Sequence, residues 1–132
     1  MNEYLSGQGI HAHEDGAAYF PVVATVTLGS HCVFNITPKS SASREKDKWR
    51  ILQEPRSLLI TSAEMYTDFL HGIDEVKVDE GLGGEEIANW DLLGNNEPFA
   101  KGKRERGTRV SLTFRDVLKV RKLGKAFGGL GK

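Results

Sequence analysis

His13-Glu14-Asp15 places an imidazole and a carboxylate two residues apart. On a β-strand, residues i and i+2 point to one face. His13 and Asp15 can then grip one metal ion together while Glu14 turns away. One further histidine would complete two imidazoles and a carboxylate on one side of the ion, a set that leaves positions open and suits Fe(II). His71, in Leu70-His71-Gly72-Ile73, is the natural third ligand. Alone, such a histidine is more often a core residue hydrogen-bonded to backbone, and an H-x-D tripeptide occurs by chance. Nothing in the spacing of His31 selects it. His11 shares a face with His13 on a regular strand and is the more serious rival.

A second pattern lies near the end of the chain. Arg109 to Val117 alternates, with Val110, Leu112 and Phe114 on one face and Arg109, Ser111, Thr113 and Arg115 on the other. Guanidiniums are costly to bury without a partner, and arginine pairs with carboxylates through two parallel hydrogen bonds. A small diacid could satisfy Arg109 and Arg115 together, one end on an arginine and the other on the metal. The plainer alternative is a strand whose polar face meets water, as in many antiparallel sheets.

The elements that must position these groups read mostly as short strands. Ser6-Gly7-Gln8-Gly9 supplies a turn, and Ile10 to Asp15 follows as a strand. Val22 to Leu28 and His31 to Ile36, separated by Gly29-Ser30, predict a tight hairpin. Residues 37–50 read as an exposed loop, Trp49–Leu52 and Arg56–Thr61 as strands broken by Glu54-Pro55, and Ser62–Leu70 as one or two helical turns capped by Ser62. Residues 74–107 read as a long flexible insert, with Trp90, Leu92 and Leu93 as anchors, and 118–132 as a basic, glycine-rich tail. Short strands with glycine and proline turns indicate an all-β sandwich or barrel.

Composition sets the frame. The 132 residues suit one domain, and no apolar run approaches a membrane span. Met1 to Leu5 resembles no secretory signal. The single cysteine, Cys32, fits a reducing compartment, nuclear or cytoplasmic. The net charge is zero but segregated: residues 74–97 carry eight acids against Lys77, and residues 101–125 carry ten bases against Glu105 and Asp116. A basic segment can attract phosphate backbones, although a solvated loop and tail is the plainer reading, since charge clustering alone is weak evidence.

The ordered blocks resemble one family. Asn2-x-Tyr4 and Gly7-x-Gly9-Ile10 precede His13-Glu14-Asp15-Gly16. Val26-Thr27-Leu28-Gly29-Ser30-His31, Glu54-Pro55-Arg56-Ser57-Leu58-Leu59 and Leu70-His71-Gly72-Ile73 come next, and Arg106-Gly107-Thr108-Arg109 through Arg115 closes the series. Together they resemble the AlkB family of Fe(II)/2-oxoglutarate dioxygenases, over nearly the whole chain. The resemblance implies a double-stranded β-helix, or jelly roll, forming a single catalytic domain over 1–132. It implies His13, Asp15 and His71 as iron ligands. It places Arg109 on the distal carboxylate of 2-oxoglutarate, Arg115 near its metal-bound end, and Asn2 and Tyr4 as further contacts, with Ser111 and Thr113 beside them. No catalytic side chain beyond the metal centre is implied.

The implied cofactors are Fe(II), 2-oxoglutarate and O2, and the implied reaction is oxidative demethylation of alkylated DNA or RNA. The iron site does not fix the substrate. A protein side chain is one alternative, and a metal-binding interaction module without turnover is another. The chain departs from the family in having Ser111 where many members have asparagine, and a longer span from His71 to Arg109. Members also carry a region ahead of the Asn2 position, including a lid over the nucleotide. Only Met1 stands there in this chain, so the resemblance implies a truncated form lacking part of the N-terminal region. No membrane partner is implied, and oligomeric state is open.

Overall fold

A computed structural model describes residues 1–40 and 47–118. The chain runs through β1 (Asn2–Tyr4), β2 (Ile10–His13), β3 (Tyr19–Gly29), β4 (Cys32–Pro38), β5 (Trp49–Gln53) and β6 (Ser57–Ser62). A single helical turn, α1 (Glu64–Thr67), leads to β7 (Phe69–Ile73), β8 (Val78–Glu80), β9 (Lys103–Glu105) and β10 (Arg109–Val117). One sheet has the order β1-β10-β3-β6, a second β2-β7-β4-β5, and β8 pairs with β9 alone. The pairings between these strands are antiparallel. The chain passes repeatedly from one sheet to the other, which is the connectivity of a jelly roll.

The hairpin expected at Gly29-Ser30 is not formed. β3 pairs with β10 and β6, whereas β4 pairs with β5 and β7, so the two residues carry the chain from one sheet to the other. A glycine turn serves either purpose, and the decision comes from distant residues. Ser30 donates its backbone N–H to Thr108 O at 3.0 Å, and Gly107 N–H donates to Ser30 Oγ at 2.9 Å. Gly29 has φ 77°, and a Cβ there would stand 2.5 Å from Thr108 O. The corner therefore requires glycine.

Two further expectations change. β2 ends at His13, so Asp15 lies beyond the strand. Ser62 does not cap α1: it closes β6, and Ala63 takes the cap position with no side-chain hydrogen bond, at φ 52°, ψ −135°. That conformation costs a residue other than glycine about 1–3 kcal/mol.

Residues 74–107 have more structure than a loop. They hold β8, β9 and 3-10 turns at Trp90–Leu92 and Glu97–Phe99. Their Leu82, Ile87 and Phe99 pack on Val33 of β4 and Leu52 of β5 to form the buried apolar cluster, flanked by Trp90 and Leu93. Of the anchors expected from sequence, Leu92 is 84 % exposed. Asn89 reinforces the seam, its side chain accepting from Leu52 N–H and donating to Leu52 O, both at 2.9 Å. All but one residue of the expected basic tail, 119–132, falls outside the described residues.

Candidate metal and co-substrate site

The two sheets face each other across a cavity lined with polar groups. From one sheet it receives Asn2, Tyr4, Thr25, Arg109, Ser111, Thr113 and Arg115, and from the other His13, Phe34 and His71, with Asp15 at its edge. Every site residue named from the sequence borders this space. The rival histidines do not. His11 is exposed, and His31 is buried against Asp79, its Nε2 3.2 Å from Oδ2.

β2 and β7 pair so that His13 stands opposite His71. Their rings meet edge to face with centroids 4.4 Å apart, and Phe34 stacks on His71 at 5.1 Å. His13 Nδ1 lies 2.8 Å from His11 O. With the proton on Nδ1 this is a hydrogen bond, and Nε2 becomes the basic nitrogen. Asp15, although off the strand, brings Oδ2 to 3.5 Å from His71 Nε2, and its side chain is 4 % exposed. Burial lowers the pKa of His71 from its ordinary value, with Asp15 opposing the shift. A neutral imidazole is the ligating form.

Arg115 is not free to take a diacid alone. It holds Asp15 Oδ1, with Nε at 2.7 Å, and lies over the Tyr19 ring at 5.6 Å. Oδ2 is thereby left facing His71. Among the described residues no three ligating side chains are already drawn into a cage. The donor chemistry nonetheless fits Fe(II): two imidazoles and one carboxylate oxygen border one space, and Arg115 balances the second oxygen.

Arg109 provides an independent test for the co-substrate. It is 4 % exposed and Ser111 is buried with it, so the polar face of β10 turns inward over its first half, whereas Arg115 at the far end stays exposed. Its Nη2 donates to Thr27 Oγ1 at 2.9 Å and to Gln53 Oε1 at 3.3 Å, and Thr27 Oγ1 donates to Gln53 Oε1 at 2.6 Å. The Tyr4 ring lies 5.5 Å from the guanidinium carbon. All these partners are neutral, and among the described residues no carboxylate pairs with Arg109. A buried cation satisfied only by neutral oxygens suits the anionic end of a diacid. Ser111 and Thr113 lie beside it, their hydroxyls 3.5 Å apart.

Several supporting residues were not singled out from the sequence. Thr27 and Gln53 hold Arg109, and Tyr66 donates through Oη to Gly16 O at 2.7 Å, beside Asp15. Burial, then the Asp15 carboxylate, raises the Tyr66 pKa, so the hydroxyl keeps its proton at neutral pH. The alternation of Val22 to Leu28 does place Thr27 on the face with Val23 and Thr25, but no sequence pattern links Tyr66 to Gly16. Away from the cavity, Asp79 accepts from Arg106 Nε at 2.7 Å and Nη2 at 2.6 Å. Burial, the largest influence, would raise the Asp79 pKa, but the hydrogen bonds and charges of Arg106 and His31 together outweigh it and hold the carboxyl below its ordinary value.

An antiparallel jelly roll enclosing two histidines, a carboxylate and a buried arginine with no carboxylate partner among the described residues has the make-up of the metal- and diacid-dependent oxygenases. Residues 1–115 match the model of the 2OG-Fe(II) oxygenase superfamily, and the chain belongs to that family. It is 36 % identical over 130 residues to the zebrafish (Danio rerio) protein named "Probable RNA/DNA demethylase ALKBH6", covering 91 % of this chain and 53 % of the relative. It is 32 % identical over 120 residues to "Uncharacterized protein L905" of Acanthamoeba polyphaga mimivirus, covering 90 % of this chain and 47 % of that protein. The chain thus spans about half the length of these curated relatives. No helix among the described residues is long and apolar enough to cross a membrane.

Proposed function

We propose that this chain carries the catalytic centre of an oxidative demethylase acting on alkylated nucleic acid, with His13, Asp15 and His71 as Fe(II) ligands and Arg109 as the anchor of 2-oxoglutarate. The observation that carries the reading is Arg109: a buried guanidinium without a carboxylate partner among the described residues, lining the same cavity as the two histidines and Asp15. When bound, the iron supplies oxidation of an N-methyl carbon with O2 and 2-oxoglutarate, releasing succinate, CO2 and formaldehyde.

The side chains bind and orient. Thr27 and Gln53 hold Arg109 in place for a distal carboxylate, with Asn2, Tyr4, Ser111 and Thr113 around it. Arg115 keeps one oxygen of Asp15 occupied and the other turned to His71. Burial keeps His71 neutral and ready to ligate. A base inside a duplex must be flipped out or presented single-stranded to reach such a centre. The nucleic-acid substrate is supported by the name of the zebrafish relative. The basic segment supports it less than its composition suggests, because Arg106 and Arg109 are buried and Arg115, though exposed, is paired with Asp15.

The test is anaerobic addition of Fe(II) and 2-oxoglutarate with the visible charge-transfer band recorded. The wild type is expected to develop the band, and Asp15→Ala and His71→Ala to lose it. Arg109→Ala is expected to weaken 2-oxoglutarate roughly 10- to 100-fold, the value of a hydrogen-bonded charge, while iron affinity changes little. Equal loss of both would overturn its role. Turnover of methylated oligonucleotides then tests the substrate, and conversion of methylated peptides instead would select a protein side chain.

A further inference from the structure

Asp15 cannot owe its direction to strand pairing, because β2 stops at His13. Arg115 fixes its Oδ1, but the backbone that carries Asp15 needs a hold of its own. The chain turns immediately after it, at Gly16 with φ 91°. The carbonyl of Gly16 accepts from Tyr66 Oη at 2.7 Å. On the other side of Asp15, Glu14 pairs with Lys39 Nζ. The same ammonium donates to Thr67 O at 2.5 Å, and Lys39 N–H donates to Asp68 O at 2.9 Å. The residues before and after Asp15 are therefore both tied to α1 and its C-terminal end.

α1 is an unlikely element to form for its own sake. Four residues are far too few for a helix to be stable alone, and it opens on the strained backbone of Ala63. Such conformations persist where the surroundings over-determine them, and they gather at ligand clamps. Tyr66 is the buried residue of α1. Five residues later the chain reaches His71 on β7. A short rigid path thus joins the carboxylate to the imidazole that faces it. The Glu14–Lys39 pair is partly exposed and contributes little by itself, so Tyr66 carries more of the hold.

We propose that Tyr66, seconded by Lys39, is a positioning residue for the metal centre: α1 clamps the Glu14–Gly16 turn and so sets Asp15 against His71. The proposal rests on His13, Asp15 and His71 being the metal ligands. Residues that orient the first ligands typically govern metal affinity by 10- to 100-fold.

The test is anaerobic titration of the full chain with Co(II), followed by its visible absorption, with thermal melts of the metal-free proteins alongside. Tyr66→Phe keeps the ring and removes only the hydroxyl. It is expected to weaken Co(II) binding about tenfold and to alter the band shape, with the metal-free melting midpoint little changed. Lys39→Gln is expected to weaken binding about threefold, less than Tyr66→Phe and in line with a partly exposed contact. Asp15→Ala should abolish binding. If the wild type takes up no Co(II), or Asp15→Ala binds it equally well, the ligand assignment fails. If Asp15→Ala alone loses the metal while Tyr66→Phe and Lys39→Gln keep the wild-type affinity and spectrum, the clamp is overturned and the ligands stand. Should Tyr66→Phe not fold, Lys39→Gln on the surface decides: weakened binding supports the clamp and wild-type binding overturns it.

Discussion

The two sheets of the jelly roll divide the work in opposite ways. The sheet of β1, β10, β3 and β6 turns Arg109, Ser111, Thr113 and Thr25 inward to the cavity, and leaves Leu58, Ile60 and Phe114 on its outer face, each at least 58 % exposed. The sheet of β2, β7, β4 and β5 contributes His13, His71 and Phe34 to the cavity, and buries Val33 and Leu52 on its other side beneath residues 74–107. The apolar cluster therefore lies outside the cavity, against one sheet only. Apolar burial is the main source of stability, so a polar interior has to be supported from elsewhere. The segment with the least pattern in the sequence supplies that support. Stability should accordingly respond to changes in 74–107 and barely at all to the outer face of the other sheet.

The largest effect is expected at Asp79, which joins the start of this segment to Arg106 at its end, just before β10. Asp79→Asn would leave the Arg106 guanidinium, 7 % exposed, without its counter-charge. Removing one partner of a buried pair costs about 3–5 kcal/mol, measurable by urea unfolding at pH 7. The pH dependence has a defined sign. The folded pKa of Asp79 lies below its ordinary value of 3.8. Its contribution is therefore fully present above that value and is lost as pH falls through it toward the folded pKa. The wild type should lose stability steeply below about pH 4, and the variant should lack that component. A loss under 1 kcal/mol would mean that 74–107 is not the support inferred above.

Next comes Ile87→Ala. Ile87 is 1 % exposed within the apolar cluster. Truncating such a residue costs about 2–5 kcal/mol, set by how far the neighbours collapse into the cavity. The expected result is a lower urea midpoint while anaerobic Fe(II) binding at low temperature persists. Loss of metal binding with stability intact would reverse the division of labour between the sheets.

The residues of the candidate site were easier to pick out from the sequence than those that support them. His13, Asp15, His71, Arg109 and Arg115 could be named from residue types, alternation and ordered blocks, and all border one cavity. The reason first given for Asp15 fails, because the strand stops two residues short of it and a turn held by Tyr66 takes over. The inward polar face of β10 was readable as a face, but not as inward, since alternation says nothing about which side is buried. The Gly29-Ser30 corner was read as a hairpin because local turn chemistry is the same for both; Thr108, far along the chain, decides it. The Asp79–Arg106 and Asn89–Leu52 contacts join residues 27 and 37 positions apart. No local period marks such pairs.

A smaller effect with the opposite sign is expected at the corner between the sheets. Arg56 sits at φ 69°, in a turn where Ser57 N–H donates to Glu54 O at 3.1 Å. The third residue of such a turn favours glycine, because a Cβ in left-handed backbone costs about 1–2 kcal/mol. Arg56→Gly should relieve that strain and raise stability by up to about 1 kcal/mol, part of the gain being offset by the greater freedom of glycine in the unfolded chain. A clear loss in thermal unfolding would show that the Arg56 side chain holds the corner by contacts of its own.

The smallest effect sharpens the comparison most. Leu58 lies on β6 with its side chain outward and is 61 % exposed. Leu58→Thr keeps a residue suited to a strand and removes apolar surface that already meets water. If the outer face of this sheet carries no part of the stability, the change should stay within about 0.5 kcal/mol. The same substitution at Leu52, 1 % exposed on β5, should cost several times more, because it removes packing and buries a hydroxyl in the apolar cluster. Paired urea unfolding curves for the two variants, taken at two protein concentrations, read the contrast directly. A loss above 1 kcal/mol for Leu58→Thr that grows with protein concentration would mean that the outer face is covered in solution, and that the asymmetry between the sheets belongs to the isolated chain.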